Sequence, residues 1–186
     1  THYGILKKSG EDWYHGGQYR KYLEDKYFKD VLRKGEVFYY EIVGFTEKGN
    51  PIQSFGGLSK EMKKSYNSPM HFSYGCAPSE CDLYVYRIIQ TNEDGQAVEL
   101  SWPQVKARCK ELGIKHVPEI AVMPRRIYLG YVPAVLPPYV NSDVLINLCE
   151  DYCDVRSILD PNHIEEGVCI RVESEEGIQI FKHKGF

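Results

Sequence analysis

The sequence predicts an α+β fold in which antiparallel sheets are in the majority. Two runs rich in β-branched and aromatic residues, Glu36 to Phe45 and Asp82 to Thr91, have strand length and strand composition. Two other segments, Gln18 to Lys34 and Ser101 to Gly113, carry helix signals. Strands near the middle and the end of the chain are joined by short turns, which link antiparallel neighbours.

Taken in order, the first helix rests on a stripe of Tyr19, Tyr22, Leu23, Tyr27, Val31 and Leu32, with Gly35 placed to end it. The strand Glu36 to Phe45 follows. Thr46 to Gly57 holds Gly49, Asn50, Pro51, Gly56 and Gly57 and reads as loop. Leu58 to Tyr66 reads as a short helix whose Lys60, Lys63 and Lys64 form a solvated face or a basic cluster. After the strand Asp82 to Thr91, Asn92-Glu93-Asp94-Gly95 turns the chain into Gln96 to Leu100. Ser101 with Gln104 three positions on is a capping-box pair, and Pro103 suits a first helical turn, so a helix runs to Gly113. Val117 to Val132 reads as mostly extended, Pro133 to Pro138 as a connector, and Asn141 or Ser142 as the cap of a helix through about Cys153. Glu166 to Arg171 and Ile178 to Lys184 are strands about the turn Glu173 to Gly177.

The chain of 186 residues is long enough for one domain with a real core, and neither a repeat nor an internal boundary divides it. No apolar run approaches the roughly 20 residues of a membrane-spanning helix. The net charge of −3 excludes a bulk-basic nucleic-acid binder. A nucleic acid would need a local strip, for which Lys182, Lys184, Arg171, Arg125 and Arg126 are candidates. The six cysteines contain no C-x-x-C pair, which favours reduced thiols in a cytosol-like compartment. Cys169, between Val168 and Ile170, reads as a small packed residue. A zinc site built on Cys76 and Cys81 with distant ligands is the competing reading.

The chemistry gathers at the end of the chain. Lys182 and Lys184 are two apart on one strand and so share a face. With Glu166 and Arg171 on the preceding strand, they offer a carboxylate and three cations to a phosphate ester and a metal ion. Glu166-Gly167-Val168-Cys169-Ile170-Arg171 followed by Phe181-Lys182-His183-Lys184 resembles motifs IV and V of the covalent nucleotidyltransferases, which include RNA ligases, DNA ligases and mRNA capping enzymes. Phe38 to Gly44 resembles motif III, and Asp82 to Ile88 resembles motif IIIa. The blocks stand in family order and span most of the chain. The aromatic motif IIIa and the K-x-K ending favour the RNA ligase branch, similar to the bacteriophage RNA ligase 2 type.

The resemblance implies a nucleotidyltransferase fold, an ATP-grasp-like ligase adenylation domain, formed by residues 1–186 as a single partial domain. It implies ATP and Mg²⁺ (or Mn²⁺) as cofactors and RNA 5′-phosphate and 3′-hydroxyl ends as partners. Lys182 and Lys184 would hold the α-phosphate, or otherwise guard an edge strand. Glu166 would sit by the metal or its water shell, or otherwise serve as a turn residue. Glu41 would contact the ribose hydroxyls or the metal's water, and a carboxylate after four apolar or aromatic residues calls for a polar cleft. Tyr40 stands where the family often has Gly, which would narrow that pocket. Tyr86 matches the aromatic that stacks on adenine, or is a core aromatic sharing a face with Tyr84. Arg171 would bind a phosphate or pair with Glu173, and Arg87 receives no role.

The family's nucleophile is a lysine in K-x-D-G or K-x-H-G. The nearest string here is Lys7-Lys8-Ser9-Gly10, without the acid or histidine, so the expectation is that the nucleophile and the N-terminal part of the domain lie upstream of this chain. The expected setting is the cytoplasm, or the host cytosol for a viral protein. A DNA ligase or capping-type enzyme, and a catalytically inactive nucleotide- or RNA-binding module, are the alternatives.

Overall fold

The structure, a computed structural model, describes residues 19–122, 147, 149–150, 152–153 and 155–184. These fall into two compact units, one built from the stretch up to Val117 together with Ser157–His163, the other from Pro118–Arg156 and the stretch from Ile164 onward.

The first unit is organised by an antiparallel three-stranded sheet in the order β1 (Glu36–Gly44), β4 (Cys81–Thr91), β5 (Ala97–Glu99). One face of it is covered by α1 (Tyr19–Tyr27) and α3 (Trp102–Leu112). Leu23 of α1, Phe28, Leu83, Val85 and Ile88 of β4, Val105 and Cys109 of α3, and Ile114 form the core, with Phe38, Tyr40 and Ile42 of β1 packed against it. Each of the fully buried aliphatics is worth about 1.5–3 kcal/mol relative to exposure. Between β1 and β4 lie the two-residue strands β2 (Ser54–Phe55) and β3 (Met70–His71), which pair antiparallel, and the single turn α2 (Met62–Ser65).

Helix α3 follows the sequence signals closely. The Ser101 backbone N–H donates to Gln104 Oε1 at 2.9 Å, Pro103 sits in the first turn, and left-handed Gly113 closes the helix. Beyond it, the backbone at Lys115–Val117 runs parallel to β4: Val85 N–H donates to Lys115 O and Val117 N–H to Val85 O, both at 2.9 Å.

Helix α1 is shorter than the predicted Gln18–Lys34. It ends at Tyr27, and Asp30 takes a left-handed φ of 61° that no continuing helix allows. Phe28 turns inward onto Phe38 and Tyr40, with ring centroids 5.0 and 5.5 Å away, while Val31 and Leu32 at the far end of the stripe are exposed. Gly35 therefore does not cap a helix. Its φ is 77°, its carbonyl accepts the Thr91 N–H at 2.8 Å, and an added Cβ would lie 2.1 Å from Thr91 O. Glycine here lets β1 begin tight against the end of β4. The predicted helix at Leu58–Tyr66 shrinks to four residues, and β2 and β3 lie where no strand was expected.

In the second unit, β6 (Gly167–Ser174) and β7 (Gly177–Lys184) form a hairpin in full register, from Gly167 opposite Lys184 to Ser174 opposite Gly177. An Arg156–Ile164 bridge and a Glu165 N–H to Val155 O bond of 2.8 Å lead into it. Pro118 to Val122 carry no regular structure, and the rest of the stretch predicted as extended, with Arg125 and Arg126, lies outside the described residues. Asn147, Cys149 and Glu150 are helical, while the predicted caps Asn141 and Ser142 lie outside the described residues, as does Lys7. Among the described residues, no helix is long and apolar enough to cross a membrane.

Candidate functional site

Because Phe38, Tyr40 and Ile42 of β1 and Leu83, Val85 and Ile88 of β4 enter the core, strand alternation places Tyr39, Glu41, Tyr84 and Arg87 on the opposite face of the sheet. Glu41 lies opposite Tyr84. Its carboxylate is exposed, so the expected desolvation that would demand a polar cleft does not arise. Tyr40, expected to crowd this side, points the other way: its hydroxyl donates to Glu24 Oε1 at 2.9 Å and its ring packs on Phe28. Burial, then the Glu24 carboxylate beside it, push its pKa up to about 12.

The pairing of β1 with β4 breaks at one place. Tyr39 faces Arg87 and Tyr40 faces Val85, so Tyr86 is an extra residue that bulges the strand. Its half-buried ring lies 6.3 Å from Tyr39, tilted by 54°. The Arg87 guanidinium sits 5.1 Å from the Tyr39 ring centroid and pairs with Glu99 at 2.6 Å. Its Nε is buried and has no hydrogen-bond partner among the described residues. The bulge breaks the simple alternation between Tyr84 and Tyr86, and the Tyr39 ring and Glu99 give Arg87 a defined place that the sequence did not signal.

Beside Tyr84, Lys115 Nζ is 2.7 Å from Asp82 Oδ2 and 5.4 Å from the centre of the Tyr84 ring. Its hydrogen bond to Asp82 outweighs partial burial and raises the lysine pKa. Burial opposes ionisation of Asp82, but hydrogen bonds from Lys115, Tyr27 and the Leu83 N–H hold its pKa below the usual carboxylate value.

In the second unit the register puts Cys169 opposite Lys182 and Gly167 opposite Lys184. Residues paired across an antiparallel ladder share a face, so Arg171, Lys182 and Lys184 all lie on one side of the hairpin. Lys184 Nζ is 3.9 Å from Glu166 Oε1, and Arg171 Nε is 2.7 Å from Glu173 Oε1. Gly167 makes this end of the ladder possible: with φ 154°, an added Cβ would lie 2.1 Å from His183 O. Cys169, expected to be packed, is exposed on the lysine face.

No disulfide joins the cysteines among the described residues, and no group of three or more His, Cys, Asp or Glu is arranged there to hold a metal. Mg²⁺ makes a smaller demand. It keeps several waters and takes one or two carboxylates plus substrate phosphates. The half-buried Glu166 carboxylate next to Lys184 suits that mode of binding.

One buried polar cluster was missed altogether. Asp160 accepts hydrogen bonds from the Ser73 hydroxyl, the Gly75 N–H and the Asn162 N–H, and Tyr74 N–H donates to His163 Nε2 at 3.1 Å. These bonds tie the turn at Ser157–His163 to the segment after β3. The Asp160-Pro161-Asn162 string signals a turn, but nothing in it names partners so distant in the chain.

Compared with known families, residues 7–184 match the one described as RNA ligase. No curated protein and no solved structure matches the chain.

Proposed function

Since the chain belongs to the RNA ligase family, we propose that it catalyses ATP-dependent sealing of RNA 5′-phosphate and 3′-hydroxyl ends, within a nucleotidyltransferase fold of which residues 1–186 are a part. In this reading a lysine nitrogen attacks the α-phosphorus of ATP and pyrophosphate leaves. An RNA 5′-phosphate oxygen then displaces the lysine and takes the AMP. Finally the 3′-hydroxyl attacks the RNA phosphorus, AMP departs and a phosphodiester remains. Lys7, the first residue of the matched span, is the candidate nucleophile within this chain; a lysine upstream is the other.

The observation that carries the reading is the hairpin face shared by Arg171, Lys182 and Lys184, with Glu166 beside Lys184. Lys182 and Lys184 offset negative charge that grows on the phosphates, worth roughly 3 kcal/mol each by analogy with oxyanion-hole donors. Glu166, 3.9 Å from Lys184 Nζ, would face the water shell of a Mg²⁺ ion. Bound Mg²⁺ would neutralise and orient the phosphates. Tyr86, at the bulge, would offer its ring to the adenine, a stack worth on the order of 1–3 kcal/mol. Glu41 offers an exposed carboxylate to the ribose hydroxyls.

The test supplies RNA already carrying a 5′-adenylyl group, together with a 3′-hydroxyl acceptor and Mg²⁺. This step needs no nucleophilic lysine, so it is informative wherever that lysine lies. The chain should seal this substrate, and Lys182→Ala or Lys184→Ala should lower the rate by about 10²-fold. Absence of sealing by the unaltered chain would favour the inactive binding module, and sealing of adenylylated DNA but not RNA the DNA ligase branch.

A further inference from the structure

The first unit carries a second basic surface that no motif accounts for. An open cleft of about 640 Å³ has Tyr84 and Ile114, both buried, at its base and Lys106, Lys110 and Lys115 among its lining residues. No carboxylate lines it among the described residues. This local concentration of positive charge stands out in a chain of net charge −3.

Its geometry follows from the fold. Lys106 and Lys110 are four apart on α3, so they stack on one side of the helix about 6 Å apart along its axis. That separation is commensurate with successive phosphates of a nucleic-acid strand. Lys115 comes from the segment running beside β4, and Asp82 holds its ammonium in place while taking one of three donors. Tyr84 is nearly covered and already lies under Lys115, so the cleft offers charge rather than a stacking platform for bases.

We propose that this cleft binds the phosphodiester backbone of the RNA substrate without regard to sequence. The proposal rests on the RNA ligase reading above and adds a place for the strand. Glu41, Tyr84 and Lys115 occupy neighbouring positions across β1, β4 and the segment beside it, so a strand in the cleft runs next to the sheet face that carries Glu41.

The measurement is the salt dependence of binding to a 5′-phosphorylated, fluorescently labelled oligouridylate, followed by anisotropy. Each phosphate neutralised on a single strand contributes about 0.7 to the slope of log K against log salt. Lys106→Gln with Lys110→Gln should reduce the magnitude of that slope by about 1.4, twice that increment. The pair Lys63→Gln with Lys64→Gln on α2 removes the same charge elsewhere and should leave the slope unchanged. AMP binding should be the same in all three proteins. Equal slopes for the two paired variants, or weaker AMP binding with unaltered RNA binding, would overturn the cleft. Failure of the unaltered chain both to bind the oligouridylate and to seal adenylylated RNA would remove the ligase reading together with it. Sealing that survives while Lys106 and Lys110 prove irrelevant to RNA binding removes the cleft alone.

Discussion

At the scale of single residues, the most consequential contact for stability is a buried ion pair away from the motifs. Arg108 is 6% exposed and Glu36 2% exposed, and they meet through two bonds of 2.8 Å. The guanidinium also donates to Val31 O at 2.9 Å, which holds the irregular turn after α1. Burial opposes ionisation of Glu36, but Arg108 and the Arg33 N–H outweigh it and lower its pKa. Arg108→Ala leaves that carboxylate buried without its partner and should cost about 3–5 kcal/mol, read from the shift in the urea midpoint. Pairing it with Glu36→Gln should recover part of the loss. Additive losses in the double variant would mean that the two side chains act independently.

At the scale of elements, capping and pairing make sharper claims. Ser101→Ala should destabilise the first unit by about 1 kcal/mol, because it removes half of the reciprocal pair with Gln104. Gly167→Ala should cost more than its exposure suggests, since the new methyl meets His183 O in the hairpin that carries Lys184. Sealing should fall even where a melting curve of the first unit does not move. Local signals foretold α3, β4, its turn into β5 and the final hairpin, because propensity, turn residues and pairing agree there. The sequence misled at α1, where the stripe through Val31 and Leu32 looked helical while Asp30 and the inward Phe28 ended the helix. It was silent about β2 and β3, two residues each, whose pairing depends on contacts distant in the chain. At the candidate site, the sequence singled out candidate residues one by one. The bulge at Tyr86 and the Tyr39–Arg87–Glu99 arrangement were not, since register is set between strands rather than within one.

At the scale of the whole molecule, titration should bound stability from both sides. Glu36, Asp82 and Asp160 have lowered pKa values when folded, so their contribution is present above the ordinary carboxylate range and lost as pH falls through their folded values. Tyr40 is raised to about 12, so its contribution is complete below the ordinary phenol value near 10 and disappears as pH rises through about 12. The melting temperature should therefore hold level across neutral pH and fall at both extremes. Tyr40→Phe should flatten the alkaline fall, and an unchanged alkaline limb in that variant would refute the assignment.

The bulge in β4 also makes the strand a sentence written in two frames. Its core letters fall on odd positions at Leu83 and Val85, then on an even one at Ile88, and Tyr86 is the single letter that shifts the reading. Deleting Tyr86 would merge the frames without moving any core letter to the wrong side. Arg87 would still face Tyr39 and Val85 would still face Tyr40, now in an unbroken ladder. A chain one residue shorter should thus fold as before and lose only the ring that packs near Tyr39, separating what that aromatic contributes to the proposed nucleotide binding from what it contributes to the fold.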